Sequence, residues 1–135
     1  MAEIAAAVTD THALLFHAAG GQRLGKAARA IFAAAEEREA LIYVPAAVIW
    51  EVALLARGGR IHLTQPVPAF FTDLFSNPSY QVHALDTGQV FAAAQATVFP
   101  DPFDGLICAA ALDLSLPLIT RDTVIATAGV VKILW

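Results

Sequence analysis

Ile4-Ala5-Ala6-Ala7-Val8-Thr9-Asp10-Thr11-His12-Ala13-Leu14-Leu15 carries a short apolar run into an acid-hydroxyl pair and then into a second apolar stretch. Ile4 to Val8 reads as a strand, and Asp10-Thr11 caps a helix carrying His12 to Ala18, which Gly20-Gly21 ends. The stretch is a βα unit with a carboxylate at its turn. Such a turn lies at the carboxyl end of the strand, the edge where open α/β sheets place their crevice.

The same alternation continues outward from this unit. Leu24, Ala28, Ile31, Phe32 and Ala35 recur at helical spacing and predict an amphipathic helix over Gly25 to Glu39, followed by a strand at Leu41 to Val44 that Pro45 breaks. Helices are expected at Ala46 to Arg57, stopped by Gly58-Gly59, and at Pro66 to Phe75, stopped by Asn77-Pro78. Tyr80 to Leu85 reads as a strand, Thr87 to Val98 as a helix behind a capping box of Asp86 and Gln89, and Phe103 to Leu114 as another helix. Leu116 to Thr120 and Val130 to Trp135 complete the strands. Strands that alternate with helices call for an α/β fold with a parallel sheet between helical layers, joined by right-handed crossovers.

Composition agrees. At 135 residues, 58% hydrophobic and 15% charged, the chain suits one domain with a sheet buried on both faces. The longest apolar stretch, Ala40 to Trp50, is stopped by Glu51 short of a membrane span. The N-terminal Met-Ala-Glu-Ile-Ala lacks the basic start of a secretory signal, and Cys108 is the sole cysteine, so the expectation is a cytoplasmic protein without an internal disulfide. A formal net charge of -4 argues against binding nucleic acid through a broad basic surface. It leaves room for a nuclease, because a metal held by carboxylates brings its own positive charge.

Four acids stand where separate segments begin or end: Asp10, Glu51, Asp104 and Asp122. Gathered at contact distance, each pair would repel by roughly 4 kcal/mol at an effective dielectric near 20, so a cation is expected among them, a hard divalent metal above all. Each also has an ordinary explanation. Asp10 can serve as a helix cap, Asp122 as a turn residue, and Glu51 as part of a solvated helix edge. Glu51 has only Ala47, Val48, Leu54 and Leu55 at helical contact spacing, however, so it needs a partner from elsewhere. In Asp101-Pro102-Phe103-Asp104, Asp101 reads as the cap, while Asp104 opens a face that continues through Cys108 and Ala111 and points inward. Thr120 is placed to orient a neighbouring carboxylate.

Other motifs fall away. Gly20 to Lys26 has P-loop spacing, but Ala27 stands where Ser or Thr must hold magnesium, and a helix precedes it. His12 occupies the place where an aspartyl phosphatase wants a second Asp. His12, His17, His62 and His83 show no zinc-ligand spacing, and Cys108 reads as a buried hydrophobe. Arg57, Arg60 and Arg121 are candidate phosphate contacts as well as ordinary surface residues.

Asp10-Thr11-His12-Ala13-Leu14-Leu15, Val48-Ile49-Trp50-Glu51-Val52-Ala53, Asp101-Pro102-Phe103-Asp104-Gly105-Leu106-Ile107 and Leu118-Ile119-Thr120-Arg121-Asp122 resemble, in order and spacing, the four motifs of PIN-domain proteins, specifically VapC-type toxin ribonucleases. The ending, Gly129 to Trp135, is similar to the family's last strand, so the resemblance spans nearly the whole chain. It implies one domain over residues 1–135, a five-stranded parallel sheet in a three-layer α/β/α sandwich, an acidic pocket for Mg2+ or Mn2+, and endonucleolytic cleavage of RNA. It further implies a homodimer and a cognate antitoxin. Asp10, Glu51, Asp104 and Asp122 match the family's metal-binding, catalytic acids, and Asp101 matches a nearby acidic position. Phe99-Pro100 and Gly105 stand where close relatives often carry His-Arg and Arg. The readings left beside this one are a catalytically idle PIN-like interaction module and a metal-dependent nuclease or phosphatase with a non-RNA substrate.

Overall fold

A computed structural model describes residues 4–135; Met1 to Glu3, part of the stretch read for a secretory leader, lie outside the described residues. The chain runs β1 (Ala5–Thr9), α1 (Thr11–Ala18), α2 (Lys26–Glu36), β2 (Ala40–Pro45), α3 (Ala46–Arg57), α4 (Val67–Phe75), β3 (Tyr80–His83), α5 (Thr87–Gln95), α6 (Pro102–Leu114), β4 (Leu118–Ile119), α7 (Thr123–Ala128) and β5 (Ile133–Leu134). All five strands pair in parallel in the order β3-β2-β1-β4-β5. Right-handed crossovers that step one way from β1 to β3 and the other way afterwards set helices on both faces of the sheet. Ala7, Val8 and Thr9 are accordingly all buried although successive side chains point to opposite faces.

The order reverses at β1, whose neighbours are β2 and β4, so the topological switch point lies between β1 and β4. Asp10 N–H donates to Ile119 O at 3.1 Å and Val8 N–H to Pro117 O at 2.9 Å, which lock the ends of these two strands together. The core is made by Leu14, Phe32, Ile42, Val48, Val52, Ile107, Leu118 and Ile125, all essentially inaccessible. No helix among the described residues is long and apolar enough to cross a membrane.

Several boundaries differ from the sequence reading, and one element is new. The helix expected to reach Glu39 stops at Glu36, because Arg38 takes a left-handed φ of 61° and turns the chain into β2. The strand expected over Tyr80 to Leu85 ends at His83, and the helix expected to reach Val98 ends at Gln95. The strands expected over Leu116 to Thr120 and Val130 to Trp135 pair only at Leu118–Ile119 and Ile133–Leu134. Apolar runs mark what is buried, but only ladder bonds define a strand. The helix α7 is not predicted by the sequence pattern: Asp122, which reads as a turn residue, caps it by accepting from Val124 N–H at 2.8 Å and Ile125 N–H at 3.1 Å. Asp86 caps α5 through Gln89 N–H at 2.9 Å, yet the box is not reciprocal, since the buried Gln89 amide donates to Ala84 O instead.

Trp135 closes the fold on α2. A Cβ placed on Gly25, the α2 cap, would lie 2.6 Å from Trp135 Cδ1 and 2.7 Å from its backbone carbon. Glycine is required there by proximity alone.

Candidate active site

Each acid is placed by its local structure. Asp10 follows β1 with extended backbone and caps α1, Oδ1 accepting from Ala13 N–H at 2.8 Å. Glu51 stands on α3, the helix that leaves β2 directly after Pro45. Asp101 caps α6 through Phe103 N–H at 2.8 Å, Pro102 takes the first helical position, and Asp104 sits in the first turn. Asp122 caps α7 just beyond β4. Asp10 and Asp122 cap helices directly after β1 and β4, so for these two acids capping and a place at the switch point are compatible rather than competing explanations.

The carboxylates are close enough to feel one another. Burial first, then the charges of Asp101, Asp122, Glu51 and Asp10 in turn, push the Asp104 carboxyl from 3.8 up to about 7. Burial also raises Asp10; the Thr120 hydroxyl, the Ala13 amide and the charge of His12 oppose it, while Asp122 adds to the rise. Cys108, one turn beyond Asp104, is driven up to about 12 by burial and by Asp104, Asp122 and Asp10, so its thiol stays protonated and inert. Asp86 does not contribute to any of these shifts.

Two threonines hold the set in place. Thr11, itself buried, donates from Oγ1 to Glu51 Oε1, and is the outside partner that this carboxylate lacks on its own helix. Thr120, fully buried, accepts from Asp122 N–H at 3.0 Å, and its hydroxyl is near enough to Asp10 to favour that carboxylate's charged form. The sequence anticipates Thr120 in such a role. It does not single out Thr11 or His12 for the site, although their position directly after Asp10 is the available signal.

Among the described residues no lysine or arginine pairs with these acids. The ion pairs present there are His17 with Glu36 at 3.7 Å and His83 with Asp113 at 2.9 Å, both apart from the cluster. The donors are all carboxylate oxygens, the hard set that suits Mg2+ or Mn2+ rather than zinc. Among the described residues no three His, Cys, Asp or Glu side chains are drawn together into a ready ligand group, with Glu51 held by Thr11 and Asp122 by the α7 backbone. In chemistry the residues fit a divalent cation; in arrangement they are not drawn into a ligand set among the described residues.

Comparison with known proteins agrees with this architecture. The chain is similar to FitAcB from Neisseria gonorrhoeae, at 20% identity over 93% of this chain and 94% of that one, with a TM-score of 0.61. It is similar to a toxin-antitoxin complex from Klebsiella pneumoniae at 18% identity over 87% of each chain and a TM-score of 0.57. It is also similar to VapBC2 from Rickettsia felis, bound to a DNA fragment from its promoter, at 11% identity over 95% and 96% of the two chains and a TM-score of 0.66. No curated protein matches the sequence. The family described as PIN domain matches residues 7–130, a span that takes in Asp10, Glu51, Asp101, Asp104 and Asp122. With the parallel five-stranded sheet and its acidic switch point, that match makes this chain a member of the PIN domain family.

Proposed function

We propose that the protein is a metal-dependent endoribonuclease, the toxin of a toxin-antitoxin pair, acting in the cytoplasm. The observation that carries the reading is a set of carboxylates without a lysine or arginine partner among the described residues, where burial first and the neighbouring charges after it bring Asp104 to about 7. A protein gains nothing in stability from such crowding, which is the pattern expected where function requires it. Toxin-antitoxin complexes among the structural neighbours support an antitoxin partner. The choice of RNA rests on the motif resemblance to VapC-type toxins.

In this reading Asp10 and Asp104 hold the ion directly, and Glu51 and Asp122 complete the site. A bound Mg2+ or Mn2+ supplies the positive charge that polarises a phosphate oxygen and acidifies water. The protein's own contributions are positional. Thr11 sets the Glu51 carboxylate, Thr120 sets Asp10 and the chain at Asp122, and Asp101 adds negative charge beside Asp104. One of these carboxylates takes the proton from the attacking water, with burial and neighbouring acids raising its basicity.

Large apolar side chains left in solvent, Phe91 at 66%, Val98 at 56% and Trp50 at 54% exposed, support a homodimer. The second reading is an idle interaction module, favoured by the lack of basic residues around Asp101 to Asp104. RNA cleavage by the wild type and by Asp10→Asn with Mg2+ or Mn2+ separates the two. The nuclease reading expects metal-dependent cleavage that falls by more than about a hundredfold in the variant, beyond the loss typical of outer-shell partners. Wild-type protein without metal-dependent cleavage would refute it.

A further inference from the structure

A cavity of ≈ 550 Å³ opens between α1, the segment after α3, and α4, with His12, two residues after Asp10, in its lining. Its size is within the range of small-ligand clefts, roughly 300–1,000 Å³, and accommodates a nucleotide. Phe16, Leu63 and Phe70 give it an apolar wall; Arg23, Arg60, His12 and His62 give it polar lining, and no carboxylate lines it. This is unusual in a chain with 8 lysines and arginines against 12 acids. Neither arginine is held in an ion pair among the described residues.

His12 links the cavity to the acidic site. It lines the cavity and lies near enough to Asp10 to favour that carboxylate's charge. Arg121, which precedes Asp122, places its guanidinium carbon 4.7 Å from the centre of the Phe16 ring, and Arg23 does the same at 4.7 Å. Two guanidinium groups are thereby fixed against one aromatic ring, with N–H edges left for phosphate. With Phe16 covered by these guanidinium groups, Phe70, His12 and His62 are the lining rings left for bases to stack on while arginine neutralises the backbone, as a single strand needs.

We propose that this cavity is the substrate subsite that receives the nucleotide next to the scissile phosphate, with Arg60 and Arg23 on the strand's phosphates. The proposal rests on the ribonuclease reading. It also gives the protein a source of RNA contacts that the Asp101 to Asp104 loop lacks.

The test uses a single-stranded RNA oligonucleotide labelled for fluorescence anisotropy, with Asp104→Asn as the background so that binding is read without cleavage. Adding Arg60→Glu or Arg23→Glu is expected to weaken binding about tenfold and to flatten the slope of log affinity against log salt by about 0.7 for each phosphate no longer neutralised. Lys132→Glu, at a basic residue that does not line the cavity, is expected to change neither. In the cleaving enzyme Arg60→Glu raises KM with kcat little changed. Unchanged RNA affinity in both arginine variants, with cleavage still abolished by Asp104→Asn, overturns the subsite and leaves the nuclease reading intact. Arginine variants that bind RNA normally but escape an inhibiting protein partner assign the cavity to that partner and likewise overturn it. RNA neither bound nor cleaved by the wild type overturns both.

Discussion

Asp104→Asn should make the metal-free protein more stable, because it removes a charge that folding partly buries and sets near four others. The rise from 3.8 to about 7 corresponds to roughly 4 kcal/mol between the protonated and ionised forms. Asp104 is only partly buried, so solvent screening reduces this to about 2 kcal/mol. The sign follows from proton binding. Below pH 4 the carboxyl is protonated in both states and costs nothing. Between about pH 4 and 7 the unfolded chain has released the proton while the folded chain keeps it, so stability falls as pH rises, and above 7 the full cost stands. Thermal and urea denaturation in EDTA should therefore show Asp104→Asn ahead by about 2 kcal/mol at pH 8, or about 6 °C in Tm, with the gap closing toward pH 4. Mn2+ at a hundredfold excess over the wild-type Kd should shift the order toward the wild type, stabilising it by about 2.7 kcal/mol and the more weakly binding variant by no more than about 1.4 kcal/mol. An Asn variant no more stable than wild type at pH 8 in EDTA, or a gap that ignores pH, would refute the account of the site as a strained carboxylate cluster.

Two further substitutions probe the frame that holds the acids. Gly25→Ala forces a Cβ to 2.6 Å from Trp135 and should cost about 1–3 kcal/mol in urea unfolding; a neutral result would mean that Trp135 does not pack on α2 in solution. Thr120→Val leaves the Asp122 N–H without its acceptor and Asp10 without its hydroxyl, for a loss of about 1–2 kcal/mol, whereas Thr120→Ser should restore most of it. Equal stability of Val and Ser at that position would dismiss the bridging role.

Legibility differed by element for physical reasons. The β1-Asp10-α1 turn and the span of α3 were readable, since a strand exit with a capping acid and a helix between Pro45 and Gly58 are both written locally. Asp104 was readable because Cys108 and Ala111 mark the same buried face. The helix α7 was not, because six residues with Ile125 alone buried carry too little periodicity to register. Nor was the half-buried cluster in which the Tyr80 hydroxyl donates to Glu36 at 2.8 Å beside His17, which draws on three separate elements. The cavity stayed hidden for the same reason: His12, Arg23 and Arg60 belong to no common period, and only packing assembles them. The four acids were legible as a group only through the order of their motifs, since each alone reads equally well as a cap or a surface residue.

Direct titration of Mn2+ into the purified protein, followed by calorimetry at pH 7.5, tests the central claim with no substrate involved. The account predicts saturable binding by the wild type that weakens at least about tenfold in Asp10→Asn and in Asp104→Asn and is unchanged in Asp86→Ala, the cap that lies outside the cluster. Equal Mn2+ affinity in all four proteins, or no saturable binding in any, would contradict it.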